Sequence, residues 1–514
     1  MVAVVPERGV RIEETEGGVS RVRALLRIVG VAVLVSIGGS FHVGFQLALL
    51  GGGTSYLLSL LHIENATADD GFVGARVTFA QRAVQGTGLS LYFFGAIVGS
   101  LISPLLANNF GRRWPIAAGA VTHLLSHAFM AVAIWIGWRN RMMLISRFVG
   151  GVGVGIVYCG QVVYLNELSP MNWRGKMGVA QNLIGSIGFL FGNALALTHR
   201  DTSDFIFLIG VACPLVVIAG VFFIPESPAH LLNRNRDTEA DQVLRGFHPD
   251  EGRHKRKMEL VKESMSTYAR HAGVLELFFG KKHSLELFVR STVILSVAIH
   301  AASGFCGVIA MMVSSHELLE RTFDFHGDDV GLVTVAIAVF CVVAGVIAIF
   351  LVDKLGRKPL IINGMLIVTV LDLLFAALFL FDKLLPQNLF NWLGVLIIVL
   401  NQFGYQLTLG AVLFWVATEM VPYPARAATA AVSMAAFQLT GALTPIVHSL
   451  PIREYRKFIF ALFAVPLVGV AIFVQTSLVE PMGKTSVEYV EHVLRRRRLG
   501  ETPSMQQNVR ESRF

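Results

Sequence analysis

Charged residues are scarce in this chain. Only 15% of its 514 residues are Asp, Glu, Lys or Arg, while 54% are hydrophobic and the mean hydropathy is +0.62. A soluble domain carries about 25% charged residues. The shortage of charge therefore excludes an ordinary soluble protein and indicates a membrane protein.

Cysteine is also rare, and its four positions exclude several chemistries. Cys159, Cys213, Cys306 and Cys341 all lie inside long apolar stretches, and none has the spacing of a metal site. We therefore expect no disulfide, no bound metal and no cofactor. The apolar stretches also contain no nucleophile placed beside a base, so we do not expect an enzyme.

Twelve long stretches have little or no charge. Eleven lack Asp, Glu, Lys and Arg altogether, and the twelfth, 359–381, contains only Asp372. Each reaches or approaches the ~20 residues that a helix needs to cross a bilayer. We number them spans 1 to 12 in chain order and predict an all-α membrane protein with twelve transmembrane helices and both termini on one side. The other eleven are 28–63, 83–111, 114–138, 148–166, 177–199, 205–225, 291–316, 330–352, 384–418, 427–452 and 458–479.

Positive charge indicates which side the termini occupy. With the N-terminus inside, cytoplasmic segments hold 32 of the 43 Lys and Arg residues, and external loops hold 10. Short translocated loops avoid positive charge, so we expect cytoplasmic termini. We also expect the plasma membrane as the location. The net charge of +8 then needs no nucleic-acid partner. The basic run 495–498 is either a topology determinant or a site of attraction to anionic lipid headgroups.

The first external loop contains an acceptor for glycosylation. Asn65-Ala66-Thr67 fits the N-x-[ST] sequon. The predicted orientation places this loop in the lumen, where the modification occurs. We therefore expect a glycan on Asn65.

One pattern of charges occurs twice. Glu167–Arg174 and Glu419–Arg426 share the spacing Glu-x-x-Pro-x-x-x-Arg, and each follows a Gly-Arg-basic turn, 111–113 and 356–358. A parallel duplication of this kind is typical of transporters whose halves move about a central site. The predicted segments are a tail (1–27), a six-helix half (28–225), a helical linker (226–290), a second six-helix half (291–479) and a C-terminal tail (480–514).

These motifs resemble the sugar porter branch of the major facilitator superfamily, and most of all the animal facilitative glucose transporters. The resemblance rests on 108–113, 147–148, 167–175, 225–228, 353–358 and 419–426. It implies two six-helix halves and facilitative uniport of a small neutral solute by alternating access. The chain departs from the family pattern at Asn109, at Ala229, and at 480–483, where the terminal motif is reduced.

The repeated charges suggest a gate at the cytoplasmic face. Glu167 can bond Arg174, Arg112 or Arg113, and Glu419 can repeat the arrangement in the second half. Such pairs, at ~0.2–1 kcal/mol each, can bias an equilibrium without locking it. We expect Glu167→Gln and Glu419→Gln to favour the inward-open state. The predicted gate consists of Arg112, Arg113, Glu167, Arg174, Glu226, Arg357, Glu419 and Arg426.

The resemblance implies a hexose site built from amides, and several of its positions differ here. The span 7 pattern begins at His300 and ends at Cys306, and the span 8 Asn falls on Cys341, so three amides are absent. A hexose remains the first candidate. A polyol, an ascorbate-like or urate-like solute, or a sensor that does not transport, are alternatives. The predicted substrate-binding residues are Gln46, Gln181, Asn182, His300, Tyr405, Gln406, Phe414 and Gln438.

Proton coupling is the remaining mechanistic question. Proton-coupled members of the superfamily place Asp on span 1, where this chain has Gln46, which cannot titrate. Passive transport is therefore favoured. Asp372 on span 9 is the exception, because an acid inside the membrane is a functional candidate. The span histidines His42, His123 and His127 can instead bond backbone carbonyls.

Overall fold

The computed structural model describes most of the chain. The described residues are 8–51, 71–136, 139–197, 203–247, 251–267, 273–274, 277, 284–325, 328–449, 456–484 and 486–499. All regular structure in these ranges is helical. The predicted glycosylation site Asn65 lies outside them.

The first half contains seven helices. A five-residue π-helical turn, Ile37–Phe41, joins α1 to α2. Span 1 is thus formed by two helices, and α1 begins well inside the predicted polar tail. The helices are α1 (Arg8–Ser36), α2 (His42–Gly51), α3 (Gly71–Asn109), α4 (Arg113–Ile136), α5 (Arg139–Leu168), α6 (Arg174–Leu197) and α7 (Ser203–Gly220).

Three short helices form most of the linker, and nine further helices follow. The linker helices are α8 (Pro228–Asn233), α9 (Asp237–Phe247) and α10 (Glu251–Thr267). Spans 7 and 10 each consist of two helices, with breaks at Phe305–Cys306 and at Thr408. The second part contains α11 (Ser284–Gly304), α12 (Gly307–Arg321), α13 (Asp328–Leu355), α14 (Arg357–Leu380), α15 (Gln387–Leu407), α16 (Leu409–Glu419), α17 (Arg426–Ser449), α18 (Arg456–Ser477) and α19 (Ser486–Leu499).

A helix or a pair of helices coincides with each predicted span. Within the described residues, nine helical segments are long and apolar enough to cross a membrane, and a shorter apolar segment is Leu208–Gly220 in α7. The helices α6 and α17 match spans 5 and 11 at 24 residues each. Both helices carry amide and hydroxyl side chains, such as Asn182 and Thr440.

Helix packing repeats between the two halves. In the first half α3 packs on α5, and α4 packs on both α5 and α7. In the second half α13 packs on α15, and α14 packs on both α15 and α18. The contact of α2 with α6 likewise corresponds to the contact of α11 with α17. Between the halves, α3 packs on α17 and α6 packs on α13.

Candidate functional site

The first charge cluster is centred on a buried ion pair. Arg112 Nε donates to Glu167 Oε2 at 3.3 Å, and the two side chains are 2% and 0% exposed. Arg112 Nη1 also donates to the carbonyl of Ala107 and to Asn108 Oδ1, both at 2.8 Å. The guanidinium therefore ties the end of α3 to the end of α5. Burying such a pair costs desolvation energy, which the further bonds of Arg112 and the Ser227 hydroxyl on Glu167 Oε2 offset in part.

Glu226 fixes the turn that carries this arginine. Its Oε1 accepts the backbone N–H of Arg112 at 2.7 Å and that of Ser227 at 2.8 Å. Gly111 has φ +118°, and a Cβ there would meet the Glu226 carboxylate at 2.2 Å, so only glycine fits. Arg113 Nε lies 3.8 Å from Glu226 Oε2. Burial raises the pKa of Glu226, and the two backbone donors oppose that rise.

The second cluster repeats this construction. Arg357 bonds Glu419 twice, through Nε at 3.0 Å and Nη2 at 3.2 Å. Glu480 accepts the backbone N–H groups of Arg357 at 2.9 Å and Lys358 at 2.8 Å. Gly356 has φ +87°, and a Cβ there would meet Glu480. Glu480 thus takes the place of Glu226, although the sequence prediction omitted it from the gate.

The arginines that end the two repeats, Arg174 and Arg426, are placed differently from Arg112 and Arg357. Arg174 is not within 4.0 Å of Glu167, because that carboxylate is occupied by Arg112 and by the hydroxyl of Ser227. The predicted Glu167–Arg174 pair is therefore wrong for this conformation. Arg426 is fully buried, with its guanidinium carbon 3.8 Å from the centre of the Tyr423 ring.

A linker lysine lies near both clusters, which sequence reasoning did not anticipate. Lys257 on α10 donates from Nζ to the carbonyls of Leu168 at 3.3 Å and Ser169 at 3.1 Å, at the end of α5. Burial, followed by the positive charges of Arg174 and Arg426, lowers the pKa of Lys257. The linker is thus attached to the same face as both clusters. We call this side of the molecule the charged face.

The two halves touch each other at the charged face. Asn166 Nδ2 on α5 donates to Thr418 Oγ1 on α16 at 3.0 Å, with both residues fully buried. Lys176 Nζ on α6 lies 3.9 Å from Asp353 Oδ2 on α13. Gly178 is packed so closely against Trp415 that a Cβ there would be 2.8 Å from the indole. These contacts join the two halves on this side.

A cavity of about 870 Å³, its open mouth included, lies between the halves. Five of the predicted binding residues line it, and Gln46, Gln181 and His300 do not. Most of the lining is apolar or aromatic, with Tyr92, Phe93, Tyr158, Phe189 and Phe437 among its rings. The predicted residues in the lining are Asn182, Tyr405, Gln406, Phe414 and Gln438.

Two of the lining amides bond each other across the cavity. Asn182 Nδ2 on α6 donates to Gln406 Oε1 on α15 at 2.5 Å. Gln438 makes only a long contact, 3.8 Å, from Nε2 to the sulfur of Met434. The amides of Asn182 and Gln406 therefore satisfy each other, and the Gln438 amide remains available to a solute.

His300 and Gln181 lie behind the wall of the cavity. His300 donates from Nδ1 to the carbonyl of Ser296 at 2.8 Å, one turn earlier in α11, and its ring packs edge-on to Phe414 at 6.1 Å. Gln181 is 3% exposed and absent from the lining. Neither side chain lines the cavity in this conformation, so their contact with a solute stays a prediction. His300 instead supports an aromatic residue that does line the cavity.

Gln46 belongs to a separate buried network, which also corrects its predicted place. Arg147 Nη1 donates to Gln46 Oε1 at 3.0 Å, so the amide nitrogen of Gln46 must face the other way. That nitrogen lies 3.2 Å from His127 Nε2 and 3.4 Å from His42 Nε2. His127 Nδ1 donates to the carbonyl of His123 at 2.8 Å, which leaves its Nε2 as the acceptor. The network joins spans 1, 3 and 4 through uncharged imidazoles.

The cysteines take no part in either site. All four are free thiols. Within the described ranges, no group of three or more His, Cys, Asp and Glu side chains could hold a metal ion.

Known proteins similar to this chain share both its sequence pattern and its fold. The family model described as "Sugar (and other) transporter" matches residues 31–492. The chain is 24% identical over 440 residues to the glucose transporter GlcP of Staphylococcus epidermidis, covering 84% of this chain and 94% of that protein. It is 25% identical over 493 residues to member 5 of the facilitated glucose transporters of solute carrier family 2 in Ovis aries, covering 92% and 94%.

Solved structures confirm the fold class. The proton:xylose symporter XylE, bound to 6-bromo-6-deoxy-D-glucose, superimposes with a TM-score of 0.76 at 21% identity, over 90% of this chain and 98% of XylE. An inward-open structure of XylE from E. coli superimposes with a TM-score of 0.65. The predicted all-α fold of the major facilitator superfamily is therefore confirmed.

Proposed function

Because the chain belongs to the sugar (and other) transporter family, we propose that it is a facilitative carrier that moves a small neutral solute by alternating access. Its membrane is the plasma membrane, and both termini lie in the cytoplasm, so the charged face is the cytoplasmic face. A hexose is the first candidate solute, as the names of the glucose-transporting relatives suggest.

One observation carries this proposal. The cavity lies between the two halves, and the contacts Asn166–Thr418 and Lys176–Asp353 close it toward the charged face. Each of these contacts joins one half to the other, so a rocking motion of the halves would break them. A site reached from one side at a time is the requirement for a carrier.

Uniport is supported by the setting of Arg147. Its guanidinium donates to the neutral amide of Gln46, and the imidazoles beyond that amide act as hydrogen-bond acceptors. A proton placed on His42 Nε2 or His127 Nε2 would oppose the amide N–H and lie close to a fixed positive charge. The span 1 position is therefore poorly suited to bind and release a proton during the cycle.

A less hydroxylated solute is the second candidate. A hexose presents five hydroxyl groups, and each hydroxyl left without a partner in a buried site costs about 1–3 kcal/mol. The lining supplies mainly aromatic rings, and Asn182 and Gln406 are already bonded to each other. These features favour a neutral ring compound with an apolar face over a polyol.

Counterflow uptake in proteoliposomes tests the proposal. Vesicles loaded with one unlabelled solute are given the same solute in labelled form, across hexoses, polyols, ascorbate-like and urate-like compounds. We expect saturable exchange that does not depend on a proton gradient. Alkalinisation of the medium when a solute gradient alone drives net uptake would refute uniport, because a symporter moves protons together with its solute, and no exchange of any compound would favour a sensor.

A further inference from the structure

A carboxylate inside the membrane is bonded to the break in span 7. Asp372 on α14 is fully buried. Its Oδ1 accepts from Asn401 Nδ2 on α15 at 2.9 Å, and its Oδ2 accepts from the backbone N–H of Gly307 at 3.3 Å. Gly307 is the first residue of α12. The side chain therefore joins spans 9 and 10 to the beginning of the second half of span 7.

This position suits a negative charge. The first N–H groups of a helix have no partner within the helix, and the helix dipole is positive at that end. A Cβ at Gly307 would lie 2.5 Å from Asp372 Oδ1, so glycine is needed for the close approach. The ionised carboxylate thus completes the first turn of α12.

The same turn covers the cavity. Val308, Ile309 and Met312 of α12 line it. Gln402 Nε2 on α15 donates to the carbonyl of Val308 at 2.9 Å, one residue after the bond from Gly307 to Asp372. The placement of these three lining side chains therefore depends on how α14 and α15 hold the start of α12.

We propose that Asp372 is a positioning residue for transport, which holds α12 over the cavity while it is ionised and releases it when it is protonated. This inference rests on the proposed carrier function. A proton removes the negative charge that strengthens the bond from the N–H of Gly307 and turns one of the two acceptor oxygens into a donor, so the hold on the first turn of α12 weakens. Only contacts without charge would then hold α12 in place.

The groups that face Asp372 add little charge of their own. The thiol of Cys306, from the junction of α11 and α12, is the titratable group that interacts with it most directly. From α15 come Asn401 and, beyond Cys306, the phenol of Tyr405. From α18 comes the Phe460 ring, which lies beside Gly307. The protonation state of this pocket is therefore set by Asp372 itself.

Cysteine labelling measures the position of α12 directly. Met312→Cys is placed in a chain whose four native cysteines are alanine, and a membrane-impermeant maleimide is applied at pH 5.5 and pH 7.5. The labelling rate of each Asp372 variant is divided by the rate of a control variant, Asp382→Asn, measured at the same pH. Asp382 is an exposed acid at the far end of span 9. Because that ratio cancels the ionisation of the thiol, it compares the buried acid with an exposed one of the same chemistry.

We expect Asp372→Asn to label at least about fivefold faster than the Asp382→Asn control at pH 7.5, and to match it at pH 5.5. The pH profile of uptake should flatten in Asp372→Asn and persist in Asp372→Glu, which retains a titratable group. Equal rates in Asp372→Asn and Asp382→Asn at both pH values would overturn the proposal. If Asp372→Asn does not fold, loss of the pH response in Asp372→Glu would overturn it as well.

The two hypotheses fail separately. Absence of uptake by the native chain would refute the carrier function, whereas the labelling experiment does not require a transported solute. If the native chain takes up solute and the labelling rate does not change in Asp372→Asn, only the role of the carboxylate is refuted.

Discussion

The hydrogen bond between Asn166 and Thr418 offers a direct test of alternating access. It joins α5 to α16, both residues are fully buried, and its length is 3.0 Å. Rocking of the halves must break it when the charged face opens. We therefore expect Thr418→Val, which keeps the size of the side chain and removes the hydroxyl, to destabilise the closed state alone.

The magnitude follows from the environment of the amide. With valine at position 418, Asn166 Nδ2 loses its partner in a buried site, which costs about 1–3 kcal/mol. Asn166 Oδ1 already has no hydrogen-bond partner among the described residues, so Thr418→Val would leave both polar atoms of the amide unsatisfied in the closed state. In the open state water can reach the same amide. The equilibrium should therefore shift toward the open state by roughly 5- to 150-fold.

A native cysteine reports the result. Cys159 on α5 is 2% exposed, and its sulfur lies 3.9 Å from the carbonyl of Ala430 on α17, at the contact between the halves. With the other three cysteines replaced by alanine, a membrane-impermeant maleimide applied from the charged face should react with Cys159 only when that face opens. Thr418→Val should raise the labelling rate by the factor given above.

Thr418→Ser is the matched control, because it retains the hydroxyl that accepts from Asn166. We expect its labelling rate to stay within about twofold of the native rate, since a bond of ~1 kcal/mol is preserved. If valine and serine behaved alike, the hydrogen bond would not contribute to closure. If valine slowed labelling, the assignment of this contact to the closed state would be wrong.

Three further predictions concern the charges and the cavity. Glu419→Gln weakens two bonds from Arg357 and should raise Cys159 labelling, like the matching change in the first half; an unchanged rate would remove the glutamates from the gate. Gln438→Ala, which removes the amide that remains available to a solute, should weaken solute affinity by about tenfold, whereas His300→Phe, behind the cavity wall, should leave the KM of counterflow nearly unchanged. Gln46→Leu should lower stability by about 1–3 kcal/mol, seen as a lower Tm in a thermal-shift assay, because it strands buried donors and acceptors.

The fold could be predicted because it depends on patterns that are visible within short stretches of the sequence. Runs without charge set the helices, and the duplicated spacing of Glu, Pro and Arg identified related halves. The turn glycines Gly111 and Gly356 were also visible, because each directly precedes the arginine of its cluster. These signals need no knowledge of which helices are neighbours.

The partners of individual side chains could not be predicted in the same way. The sequence alone allows Glu167 to bond any of three arginines. Only the packing of α3 on α5 selects Arg112. His300 and Gln46 fall at positions that a family pattern assigns to a pocket. In the structure, His300 bonds the carbonyl of Ser296 within α11, and Gln46 bonds Arg147 within the first half. Glu480 is different, because its place after the second half matches that of Glu226, and the repeat could have identified it.

The bond between Asn182 and Gln406 has a consequence for the unloaded carrier. A solute that uses either amide must displace the other amide first, so binding exchanges one hydrogen bond for another and the net gain is small. The same bond links the two halves across the cavity, where a solute would otherwise lie between them. Under the proposed uniport, a bond of this kind would let the two halves return without a solute between them, which net flux down a gradient requires.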